Sequence, residues 1–159
     1  MQITDLIEQF SISREKQSKA IFSTLFIAQN KLQTIFDNED ENITLKQFML
    51  LTMVRRSPEP LTFTQLGGLL GCSRQNIKKI ASVLELKGFV EIKKSPSDSR
   101  ACAISATDKL ELYFDEAAEH HQKMLGVLFQ QYTDEELKQL FDLLMRLYSG
   151  IDLLAETVG

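Results

Sequence analysis

Cysteine, proline and glycine are all scarce in this chain: two, three and seven residues among 159. Cys72 and Cys102 are too few for a disulfide framework and lack a CxxC spacing, so they imply no oxidising compartment and read as two small apolar residues. Few prolines and glycines leave few turns, and helices should dominate. No apolar run approaches the roughly 18 residues of a membrane span. The opening Met-Gln-Ile-Thr-Asp-Leu-Ile-Glu-Gln-Phe has no basic stretch ahead of its apolar residues, so it is not read as a secretory signal, and a cytoplasmic protein is expected. Nucleophile elbow, phosphate loop and HExxH are missing too, so the expectation is no enzyme, no catalytic residues and no cofactor. The remaining composition, 43% hydrophobic and 25% charged, is ordinary for one soluble domain.

What is present is a charge segregation. Between Thr62 and Lys109 eight basic residues (Arg74, Lys78, Lys79, Lys87, Lys93, Lys94, Arg100, Lys109) face four acidic ones (Glu85, Glu91, Asp98, Asp108), a net of +4. The whole chain is -4, so the rest carries -8. A basic module on an acidic body can dock one face on a phosphate backbone; chance clustering of solvated lysines is the plain alternative.

The same segment has a legible local pattern. Thr62 with Gln65 is a capping box, Leu66, Leu69 and Leu70 would face inward, and Gly71 would end the helix in a left-handed cap. Gly67 and Gly68 weaken that helix, which close approach of the next helix would justify; fraying is the rival. Ser73 caps a second helix. Its expected inward face is Ile77, Ile80, Val83 and Leu84, with Leu86 near the end, leaving Arg74, Gln75, Lys78, Lys79 and Ser82 outward. Gly88 stops it. Alternating Phe89–Lys94, a tip at Pro96–Ser99 and a return strand from Ala101 to Ser105 read as a two-stranded ribbon, which must lean on the helices through residues such as Phe89, Ile92 and Ile104. Helix, turn, helix and ribbon make a winged helix-turn-helix. Ser73, Arg74, Gln75, Asn76, Lys78 and Lys79 open the second helix with side chains suited to phosphates and base edges.

Around this module, the spacing predicts helices over 14–36, about 44–55, 107–130 and from Thr133 onward. The acidic run at 37–42 ends the first. Thr44 with Gln47 and Thr133 with Glu136 are further capping boxes. The final stripe of Leu137, Leu140, Phe141, Leu144, Tyr148 and Ile151 suits a subunit interface shared with the first helix, or an intramolecular core.

Several phrases together resemble the MarR family of bacterial transcription regulators: Thr44-Leu-Lys-Gln-Phe, Leu61-Thr-Phe-Thr-Gln-Leu, Leu70-Gly-Cys-Ser, Leu84-Glu-Leu-Lys-Gly-Phe-Val, Asp98-Ser-Arg100 and Ser105-Ala-Thr107. The resemblance covers about residues 15–150. It implies a mainly α protein with a small β-hairpin wing, one domain over 1–159, a winged helix-turn-helix core at 44–107, and helices 14–36 and 107–154 forming a dimerisation region. The implied partners are a second copy of the chain and double-stranded DNA with a pseudo-palindromic operator, with no membrane. Arg100 matches the wing arginine expected in the minor groove, Asp98 matches its acidic companion, and Lys93 and Lys94 add charge. Ser99 departs from the arginine often found after the Asp. Leu110 departs from a common glycine, so that helix start would pack more tightly.

Other features are weaker. Glu116, His120 and His121 could in principle hold zinc, but a packed or surface histidine pair is the simpler account, and no metal ligand is assigned. Met49, Met53, Met124 and Met145 could line a pocket for an aromatic or lipophilic effector. The function expected is sequence-specific transcriptional control, of a repressor type modulated by such an effector. The alternative is a winged-helix protein–protein module without specific DNA binding, which would call for a neutral or acidic second helix in place of one carrying Arg74, Lys78 and Lys79.

Overall fold

The structure, a computed structural model, describes residues 2–159. In chain order its elements are α1 (Ile3–Phe10), α2 (Arg14–Glu39), α3 (Leu45–Arg56), β1 (Leu61–Thr62), α4 (Phe63–Leu70), α5 (Arg74–Leu86), β2 (Val90–Lys94), β3 (Cys102–Ala106), α6 (Asp108–Leu128) and α7 (Asp134–Val158). They fall into two compact units, one running to Glu111 and the other Leu112–Gly159.

The caps form as the spacing predicts. Thr44 Oγ1 accepts the Gln47 N–H at 3.3 Å while Gln47 Oε1 accepts the Thr44 N–H at 3.1 Å. The Thr62/Gln65 and Thr133/Glu136 boxes close in the same way. Two helices differ from expectation. α1 is an additional element. α2 continues past Phe36 to Glu39. The acidic run at 37–42 therefore spans the helix end and takes up backbone donors: Asp37 Oδ1 accepts the Leu45 N–H at 2.7 Å, and Asp40 Oδ1 accepts those of Asn42 and Ile43 at 2.9 and 3.1 Å.

The ribbon is the edge of a three-stranded antiparallel sheet in the order β1-β3-β2, not a two-stranded hairpin alone. Leu61 pairs with Ile104, and Ile92 pairs with Ile104 from the other side. Thr62 both pairs and caps because an N-cap residue needs extended backbone, here φ -71 and ψ 160, which a strand also uses.

The core belongs to the first unit. Leu50, Leu51 and Val54 of α3, Phe63 and Leu66 of α4, Ile77, Ala81 and Leu84 of α5, Phe89 just before β2, and Val90, Ala103 and Ile104 of the sheet are buried. Leu110, at the departure from the family's glycine, is fully buried. Burying the larger side chains contributes about 1.5–3 kcal/mol each. Five residues expected inside are elsewhere: Leu69, Val83 and Leu86 are exposed, and Leu70 and Ile80 are only half-buried. The buried faces run Phe63-Leu66-Gly67 and Ile77-Ala81-Leu84, the three- and four-residue steps of one helical stripe, and Leu69 and Val83 lie off them.

α2 and α7, by contrast, have no buried residue over 26 and 25 positions. The α7 stripe is therefore not an intramolecular core: Phe141, Tyr148 and Ile151 are all at least half exposed. Among the described residues, no helix is long and apolar enough to cross a membrane.

Candidate nucleic-acid interface

The helix-turn-helix is built around one close approach. A Cβ on Gly67 would lie 2.6 Å from the Cys72 carbonyl oxygen, so α4 and the turn fit only with glycine there. Gly67 O accepts the Cys72 N–H at 2.9 Å, and Gly71 turns the chain at φ +66. Ser73 then accepts the Asn76 N–H at 3.2 Å and starts α5.

Anchored by Ile77, Ala81 and Leu84, α5 leaves Ser73, Arg74, Gln75, Asn76, Lys78 and Lys79 exposed. Four of these, Ser73–Asn76, form the exposed entry to the helix, where backbone N–H groups and the positive dipole end also point outward. Cations, amide donors and acceptors, and a helix terminus together suit a polyanion with readable edges.

The wing carries the remaining candidates. Lys94 and Arg100 are exposed on either side of the tip. Ser95 is buried, and its N–H donates to Ala101 O at 2.8 Å, closing the loop. Asp98 Oδ1 accepts the Arg100 backbone N–H at 3.0 Å and lies 3.5 Å from Arg100 Nε. The shorter bond shapes the bend; the longer one draws the guanidinium back toward it. Lys93 lies 2.9 Å from Glu91, whose hydrogen bond, and then charge, raise the lysine pKa. Part of its charge is thus already matched.

The profile of the MarR family matches residues 41–101, spanning the helix-turn-helix and the wing tip. Over that segment the chain matches the MarR family. The transcriptional repressor MprA of Escherichia coli (strain K12) is 27% identical over 103 residues, which is 65% of this chain and 58% of that protein. The chain thus matches less than two thirds of the length of this curated relative. In fold it is similar to the transcriptional regulator SlyA (TM-score 0.76, 21% identity, 87% of this chain and 99% of that one). It is also similar to the S. aureus MepR–DNA complex (TM-score 0.71, 20% identity, 82% and 97%). MarR proteins are transcription regulators and not enzymes.

Within this MarR fold, several charges of the basic segment have structural partners that sequence reasoning missed. Lys87 Nζ donates to Asn42 O and Lys109 Nζ to Lys87 O, and Lys109 sits 4.7 Å from the Phe89 ring centre. Just outside the segment, Arg55 and Glu111 pair at 2.8 Å. Glu85 Oε2 accepts the Ile92 N–H at 2.7 Å. A lone acid in an otherwise basic helix was the available signal for Glu85; the lysines gave none, since a carbonyl partner leaves no sequence trace. No group of three or more His, Cys, Asp or Glu that could hold a metal occurs among the described residues. His120 and His121 lie instead in a ring cluster with Tyr113 on α6.

Proposed function

We propose that this MarR protein is a sequence-specific, dimeric repressor that places α5 in a major groove and its wing against the adjacent minor groove. The observation that carries this reading is the exposed row Arg74, Gln75, Asn76, Lys78 and Lys79 on a helix whose opposite face is locked into the core. Arg74 and Lys78 suit guanine edges and Gln75 and Asn76 suit adenine, while Lys79 serves phosphate. Lys94 and Arg100, with Lys93 and Asp98 beside them, supply the wing. Likeness to a transcriptional repressor and to a protein crystallised on DNA supports the reading. A protein that acts on a bacterial operator works in the cytoplasm.

Dimerisation would cover the exposed apolar faces. α7 presents Phe141, Leu144, Tyr148 and Ile151, and α2 presents Ile21, Phe22 and Phe26. Exposed stripes of this size mark association surfaces, and a two-fold pair would match a pseudo-palindromic site. The domain plan that follows is a DNA-binding core at 44–107 flanked by dimerisation helices over 14–36 and 107–154.

For an effector, the supporting feature is a groove of about 620 Å³ among α2, α3 and the start of α5. Leu45, Met49, Leu70 and Ile80 give it apolar walls, and Asn76 and Lys79 belong to it as well. An aromatic or lipophilic molecule seated there would compete for two residues of the DNA-facing row.

Selection from random duplexes, repeated with single alanine variants of Arg74, Gln75, Asn76 and Lys78, tests the central reading. A pseudo-palindrome should emerge, with at least one of the first three variants changing base preference. Uniform weakening by all three would make them backbone contacts. Absence of any enriched sequence would refute specific DNA binding and favour the protein–protein alternative.

A further inference from the structure

We propose that Glu85 is a positioning residue that holds the wing in register with α5, an inference resting on the DNA-reading role just described. Glu85 is an exposed acid in the last turn of the helix that carries the candidate base-reading row. In a segment of net positive charge, an acid costs affinity for a polyanion unless it does something else. Its carboxylate accepts the Ile92 N–H at 2.7 Å, a charge-assisted bond of the strong class.

The location of that bond matters. β2 is an edge strand, so an outward N–H at its centre has no strand to receive it. Ile92 is the middle residue of β2 and pairs with Ile104, which pairs on its other side with Leu61. Leu61, Ile104 and Ile92 thus form one row across the sheet, and Glu85 extends it into α5. Pairing with β1 fixes the sheet from one flank at this level; Glu85 fixes it from the other. Backbone bonds from Gly88 to Glu85 O and from Phe89 to Leu84 O, 2.9 and 3.0 Å, secure only the turn at the root of the ribbon. β1 pairs with β3 only at Ala103 and Ile104, so Lys94, the 95–101 loop and Arg100 project beyond the braced row. Their placement relative to Arg74–Lys79 depends on the tilt of the ribbon at Ile92. Glu85 sets that tilt without touching DNA.

The sign of the effect separates this role from charge alone. Glu85→Gln keeps a carbonyl acceptor for the Ile92 N–H and removes the charge; Glu85→Ala removes both. If Glu85 positions the wing, Glu85→Ala weakens binding to the selected operator about tenfold, and Glu85→Gln stays within about threefold of the parent. Glu85→Ala should also add little in an Arg100→Ala background, because both changes remove the same wing contact. Amide exchange without DNA gives an independent reading: Ile92 and residues 95–101 should exchange faster in Glu85→Ala at unchanged urea midpoint. Equal or tighter operator binding by both variants, full additivity with Arg100→Ala, or unchanged exchange in the wing would each overturn the proposal. Faster wing exchange in Glu85→Ala with no operator selected by the parent protein would uphold the brace and refute the DNA-reading role.

Discussion

Gly67 and Gly68 are neighbours in one helix, yet the same substitution should move stability in opposite directions. Alanine in a helix interior is favoured over glycine by about 1 kcal/mol through backbone entropy alone. At Gly68 nothing lies within 4 Å of the new Cβ, so Gly68→Ala should collect that gain in full. At Gly67 the Cβ would sit 2.6 Å from the Cys72 carbonyl oxygen and 3.7 Å from the Arg74 nitrogen. Both are backbone atoms of the turn, which cannot swing aside as a side chain can. Relief requires moving the turn by roughly 0.7 Å to approach ordinary van der Waals separation. Overpacking of this kind costs about 1–3 kcal/mol, so after the helical gain Gly67→Ala should be destabilised by about 1 kcal/mol. The two variants then differ by about 2 kcal/mol, or about 1 M in urea midpoint at a typical slope. Equilibrium urea unfolding at one fixed protein concentration, needed because association shifts apparent stability, reads this directly. Because the displaced turn carries Ser73 and Arg74, Gly67→Ala should also lose more operator affinity than Gly68→Ala. A Gly67→Ala protein as stable as Gly68→Ala would refute the close-approach argument.

Three further outcomes follow from the same geometry. Sedimentation equilibrium at micromolar concentration should give twice 18.1 kDa, and Phe141→Asp should shift the mass toward the single chain; a monomer that binds a palindrome at full affinity would remove the dimer. Arg100→Ala should lower the salt slope of DNA binding by about 1, and Asp98→Ala should also weaken binding, because Asp98 shapes the bend through the Arg100 N–H; tighter binding by Asp98→Ala would show that its charge dominates. Glu136 is held below the usual carboxylate range, first by its bond with the Thr133 backbone N–H and then by the Thr133 hydroxyl. A lowered folded pKa means this stabilisation is present above the ordinary carboxylate value and lost as pH falls through the depressed one. Helicity of α7 followed by pH titration should therefore decline less on acidification in Glu136→Gln than in the parent, since glutamine keeps an acceptor for the Thr133 N–H and has no charge to lose.

Local signals were legible wherever the physics is local. Three capping boxes, the Ser73 cap, the positive-φ glycines Gly71 and Gly88, and the alternation of β2 each depend on residues within about four positions, and the helix-turn-helix with its wing follows from them in order. The basic candidates on α5 were legible for the same reason: helical periodicity put Ile77 and Leu84 opposite the exposed row, although it placed Ile80 and Val83 inside and did not single out Ala81. Tertiary structure decided what depends on partners distant in sequence. Thr62 pairs with Ala103 forty-one residues later, which made a sheet of three strands from an expected ribbon of two. Lys87 and Lys109, indistinguishable in sequence from Lys78 and Lys79, are turned to the backbone carbonyls of Asn42 and Lys87. Leu69 and Val83 looked as apolar as their neighbours and stayed outside because the core face is only one stripe wide. Sequence by itself determined which segments could be helix, turn and wing, since those are short-range choices of backbone and cap. Which charges remained for a partner and which were taken by the fold was decided only when helix, turn and strand met, because a charge's role is set by the atoms that surround it.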